Sequence, residues 1–141
     1  MRTSARNNFP GTVTRVTKGA VNAEIELSLV GGDKIVAIIT NTSVEALGLG
    51  VGTKAMALIK ASWVILGKEL DKARLSTRNI MPGIVHAVQE GAVNSEVILK
   101  LAGGTILTAI ITKRSVRSVE LRAGDEAFAA IKTSHVILAV E

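Results

Sequence analysis

Between Asn22 and Leu29 apolar and polar residues alternate, with Ala23, Ile25, Leu27 and Leu29 on one side and Glu24, Glu26 and Ser28 on the other. That period of two is the signature of a strand with one buried face. Gly11 to Lys18 alternates around Val13 and other β-branched residues, and Lys34 to Thr40 supplies a third strand after a hairpin turn at Gly31-Gly32. Asn41 to Leu47 reads as a short helical turn with Thr40, Asn41 or Thr42 as its cap, ended by Gly48 and Gly50. Two further strands follow, Lys54 to Ile59 and Trp63 to Leu66.

The order then starts again. Ser4 to Glu69 recurs from Ser76 to Glu141 without insertion or deletion, about half the aligned positions being identical, and Gly103-Gly104 stands at the same turn. The expected architecture is all-β: two tandem OB-fold-like five-stranded barrels, closed or partly open, each with one short helix after its third strand. The expected domains are residues 4–69 and 76–141. The connecting stretch Leu70 to Leu75 has no glycine or proline and is too short for a free tether, so the barrels should sit against each other.

Units of this size bury a limited core. The chain has no cysteine, so disulfides and thiolate metal sites are excluded as staples, while 48% of residues are hydrophobic and the mean hydropathy is +0.39. Packing between repeats and between chains is the expected stabiliser. No apolar run approaches the roughly 20 residues of a membrane helix, and MRTSARNNF lacks the apolar stretch of a secretory signal, so a soluble cytoplasmic protein without a membrane partner is expected. The net charge of +5 is not clustered into a basic run, which fits a solvated surface and is also compatible with a small anion.

The repeated blocks preserve more than a core needs. SARNNFPG matches STRNIMPG, KGAVNAE matches EGAVNSE, AIITNTSV matches AIITKRSV and IKASWVIL matches IKTSHVIL, so Arg6/Arg78, Asn7/Asn79, Asn22/Asn94, Thr40/Thr112, Ser43/Ser115 and Lys60/Lys132 persist beside the apolar positions. SARN, GAVN, the T-x-x-S pair and IKAS in this order resemble the Mop domain of molbindins, the small intracellular molybdate-binding proteins. The resemblance covers nearly the whole chain, twice over.

It implies two classes of oxyanion site. The first takes Ser4, Arg6, Thr40, Ser43, Lys60 and the backbone of Ala61, with Ser76, Arg78, Thr112, Ser115, Lys132 and Thr133 in the second repeat, assembled at an interface so that Arg6 and Lys60 can come from different chains. Such residues suit a tetrahedral dianion, which is held by oriented N–H and O–H donors and one or two cations, with no direct cation ligands and no cofactor. The second class takes the loops Gly19, Ala20, Val21, Asn22 and Gly91, Ala92, Val93, Asn94. As residues alone these read first as turns, although a nest of backbone N–H groups also binds anions. The ligand implied is molybdate, with tungstate comparable, held for storage and homeostasis. Because molbindins with a single Mop domain form hexamers of two stacked trimeric rings, a tandem chain is expected to form a homotrimer of six barrels.

Other functions fare less well on the residues. A helix-turn-helix would have to fit ahead of the first barrel, where only Met1 to Thr3 are available, and no G-x-x-x-x-G-K-S/T phosphate loop occurs. His86 and His135 stand opposite Thr14 and Trp63 and have no Cys, Asp or Glu cluster, so no catalysis is expected. Glu24/Glu96, an acid pair inside a repeated block, is assigned to solubility or a pair between chains. The alternative is an OB-fold nucleic-acid-binding module, which such barrels often are, but one Trp, two Phe and no Tyr leave little for bases to stack on.

Overall fold

The computed structural model describes all residues, Met1–Glu141. The first repeat contributes β1 (Asn7–Lys18), β2 (Asn22–Leu29), β3 (Lys34–Thr40), α1 (Asn41–Leu47), β4 (Lys54–Ile59) and β5 (Ile65–Gly67). The second contributes β6 (Asn79–Glu90), β7 (Asn94–Leu101), β8 (Ile106–Thr112), α2 (Lys113–Val119), β9 (Glu126–Ile131) and β10 (Ile137–Ala139). A 3₁₀ turn precedes each last strand, at Ala61–Trp63 and Thr133–His135, and a third at Leu70–Lys72 joins the repeats.

The predicted elements are present, although β5 begins at Ile65 because Trp63 closes a 3₁₀ turn, and the alternation in β2 is observed: Ala23, Ile25, Leu27 and Leu29 are buried and the residues between them half-buried. β1 is longer than Gly11 to Lys18 because its first residues, Asn7 to Pro10, pair with β4 after the pairing with β2 has ended. A bulge at Thr14, and another at His86 in β6, lets one long strand bend and serve both neighbours. Each sheet is thereby curled into an open half-barrel.

The fifth strands are exchanged. The sheet orders are β10-β4-β1-β2-β3 and β5-β9-β6-β7-β8, so the last strand of each repeat completes the sheet of the other. Leu66 pairs with Ala129 and Leu138 with Ala57, all four buried, and one continuous apolar cluster runs through both sheets. This exchange explains how two small units share a single core. The β2–β3 and β7–β8 hairpins also meet at their tips. Gly31 has φ +94°, and a Cβ there would stand 2.0 Å from the Gly103 carbonyl oxygen, so only glycine fits.

Candidate functional site

Both helices begin in the same way. Thr40 has extended backbone angles and its hydroxyl accepts the Ser43 amide at 3.0 Å while donating to Ser43 Oγ at 2.8 Å; Thr112 and Ser115 repeat this at 3.1 and 2.8 Å. Of the three predicted caps, Thr40 is the one used. The chain of bonds leaves the Ser43 and Ser115 hydroxyl protons to donate outward.

Arg6 and Lys60 lie just beyond the ends of neighbouring strands of one repeat, β1 and β4. Asn7 pairs with Ile59 at the end of the β1–β4 ladder, so Arg6 and Lys60 follow as the next opposed positions, and Arg78 and Lys132 stand likewise beyond Asn79 and Ile131. Within one chain each such pair therefore stands at one strand end. Ala61, next in line, is buried and offers only its main chain, whereas Thr133 is partly exposed.

The hydroxyls are not at that end. Thr40 pairs with Asn22, and the β1–β2 ladder that leads there runs from Gly11 to Lys18, away from Arg6. A complete donor set within one repeat is thus ruled out by the topology. The other repeat brings its own hydroxyls nearer to Arg6. Arg6 Nη2 reaches Glu96 Oε2 at 2.9 Å, and Glu96 sits opposite Ile110, two residues or about 7 Å along the strands from the Asn94–Thr112 pair. The 3₁₀ turn Ala61–Trp63 packs on β8 and the turn Thr133–His135 on β3, so the reciprocal grouping holds for Arg78, which pairs with Glu24 opposite Ile38. Ser4 and Ser76 are exposed just ahead of their arginines.

Glu24 and Glu96 were expected to serve solubility or pairing between chains. Instead each pairs within the chain with the arginine that the resemblance assigns to the ligand. Their retention in both repeats is the sequence signal that points to them. Asn7 and Asn79, also retained, are buried and hydrogen-bonded to the other repeat, Asn7 to Thr108 and Asn79 to Val36, so their role is structural.

The two GAVN loops border the helix starts. The Asn41 amide donates to the Val21 carbonyl and the Lys113 amide to Val93, while Gly19 to Asn22 and Gly91 to Asn94 are exposed. The first loop has one more tie, from Asn41 Nδ2 to the Gly19 carbonyl at 2.9 Å, which Lys113 does not repeat. Trp63, which is partly exposed, packs against His135 with ring centroids 4.7 Å apart and planes tilted by 31°, and Lys60 Nζ lies 5.6 Å from the Trp63 centroid. No group of three or more His, Cys, Asp or Glu is placed to hold a metal ion, and no helix is long and apolar enough to cross a membrane.

The TOBE domain model matches the chain at residues 3–66 and again at 75–138. The chain belongs to the TOBE domain family. A crystal structure of the cytoplasmic molybdate-binding protein ModG, with molybdate bound, superposes with a TM-score of 0.95 at 47% identity, covering all of both chains. Among curated relatives, the molybdenum-pterin-binding protein MopA of Rhodobacter capsulatus is 49% identical over 99% of this chain and 53% of its own length. The molybdenum transport protein ModE of Azotobacter vinelandii is 41% identical over 99% of this chain and 52% of its own. The tandem TOBE chain spans about half the length of these curated relatives.

Proposed function

We propose that the protein binds molybdate in the cytoplasm, without catalysis, as a store that buffers the ion, with tungstate as a competing ligand. The observation that carries this reading is the full-length likeness to ModG, which holds molybdate and keeps nearly half of the residues. The donor geometry supports it. One class of site draws Ser4, Arg6, Lys60 and the Ala61 backbone from the first repeat towards Thr112 and Ser115 of the second, and the other combines Ser76, Arg78, Lys132 and Thr133 with Thr40 and Ser43. Two cations and several hydroxyl and amide donors match a tetrahedral dianion. The exposed loops Gly19 to Asn22 and Gly91 to Asn94 are proposed as the second class. Residues 4–69 and 76–141 act as the two duplicated units.

The assembly proposed is a homotrimer of six barrels. Val21 and Val93 at the loop tips are more than 70% exposed, and Ile38 and Ile106 are exposed on the edge strands, apolar surface that contact between chains would cover. The nucleic-acid reading finds no stacking platform: Trp63 is engaged with His135, and Phe9 and Phe128 are buried. Calorimetric titration with molybdate, tungstate and sulfate, together with the mass of the assembly, tests the proposal. Saturable binding of the first two to a trimer is expected; no heat from either, or binding of single-stranded DNA instead, would overturn it.

A further inference from the structure

The two ion pairs between the repeats engage the cations that the proposed site offers to its ligand. Arg6 holds Glu96 through Nη2, with the Arg6 side chain about half exposed and that of Glu96 27% exposed, and Arg78 holds Glu24 in the same manner. Each carboxylate is fixed by a strand with neighbours on both sides, β7 or β2, and its arginine is its one ion-pair partner. A ligand approaching Lys60 and Thr112 therefore meets a guanidinium already neutralised by the protein.

Resting on the oxyanion reading, we propose that Glu96 and Glu24 are internal competitors for Arg6 and Arg78, and that this competition sets the affinity of the sites. A tethered carboxylate acts at an effective concentration in the millimolar range, whatever the solution contains. A weakly held anion cannot displace it from the arginine alone. An oxyanion that also recruits Lys60 and the Thr112 and Ser115 donors can, because the carboxylate, near the start of β7, makes neither an ion pair nor a hydrogen bond with any of those groups. Once bound, a dianion still feels the displaced charge a few ångströms away. In solvent-exposed surroundings that repulsion is worth on the order of a tenfold change in binding. The empty protein in turn keeps its arginines ordered and shielded from ambient anions, and the store releases its ion more readily than a site with unopposed cations would.

The test is calorimetric titration of molybdate and of sulfate into the intact chain and into Glu96→Gln and Glu24→Gln, alone and together. Glutamine keeps the shape and a hydrogen bond to arginine, and unfolding midpoints and assembly mass verify that the fold is kept. The control is Glu126→Gln, an exposed acid at the start of β9, remote from both arginines. Roughly tenfold tighter molybdate binding in each site variant, with a gain for sulfate and none in the control, is expected. Unchanged or weaker binding in both site variants, or an equal gain in the control, would overturn the competition. A wild-type chain that takes up no molybdate would instead overturn the oxyanion reading itself.

Discussion

The Asn79 side chain binds Val36 as a neighbouring strand would, donating from Nδ2 to the Val36 carbonyl at 2.7 Å and accepting the Val36 amide at 2.8 Å. β3 is the outer strand of its sheet, and this one amide satisfies a buried stretch of its free edge. Asn7 does the same for Thr108 on β8, with both bonds at 2.8 Å. Removing such an amide strands a backbone donor and acceptor. Asn79→Ala should cost about 2 to 4 kcal/mol in denaturant unfolding, whereas Asn8→Ala, at a position where the other repeat has Ile80, should cost less than about 1 kcal/mol. Equal effects at both positions would refute the edge-capping role.

The helices end differently. α1 stops at Gly48 with φ +63°, but α2 stops at Glu120 with φ +55°, a left-handed conformation that costs a side-chain-bearing residue. Glu120→Gly should stabilise the chain by about 0.5 to 1 kcal/mol, and Gly48→Ala should destabilise it by a similar amount. Thermal melts of the two variants measure both signs.

Acid should loosen the repeats. Lys68 Nζ donates to Asp125 at 2.7 Å and to the Glu120 carbonyl, linking the end of β5 to the loop before β9. This hydrogen bond holds the Asp125 carboxyl below its usual range. In the same way the Thr14 hydroxyl, with Lys34, lowers Glu26. A depressed folded-state value means that the unfolded chain binds more protons, so the stabilisation is present above the ordinary carboxylate range and is lost as pH falls through the folded value. The melting temperature should therefore drop below about pH 4, and Lys68→Met should reduce that drop. An unchanged acid slope in the variant would exclude Lys68 as its source.

Lys60 lies over the ring of Trp63, the chain's single tryptophan. A ligand that draws the ammonium away should change the emission of Trp63, giving a direct titration signal. Lys60→Gln should weaken molybdate binding by about ten- to a hundredfold, the loss of one charge-assisted hydrogen bond. Retained affinity would remove Lys60 from the site.

Much of this was legible in the sequence because it is local. Alternation in β2, the paired glycines at the hairpin and the T-x-x-S start of α1 depend on neighbours within a few residues. What could not be read is what depends on pairing at long range. Nothing in Ile65 to Gly67 says that the strand joins the other repeat's sheet, since its pattern suits either. Comparison of the repeats groups Arg6, Lys60 and Thr40 as a set but cannot show that the length of β1 separates Arg6, just ahead of it, from Thr40 on β3 beside its far end. Nor can it divide polar groups kept for folding, such as Asn79, from those kept for a ligand, because the repeats preserve both.

The exchanged fifth strands carry a consequence for how the chain can change. Ala57 fits Leu138 and Ala129 fits Leu66, so a substitution late in one repeat is judged by the sheet of the other. Two halves that arose as copies are no longer free to diverge as copies; each inherits the other's constraints, and neither can be replaced without a matching partner.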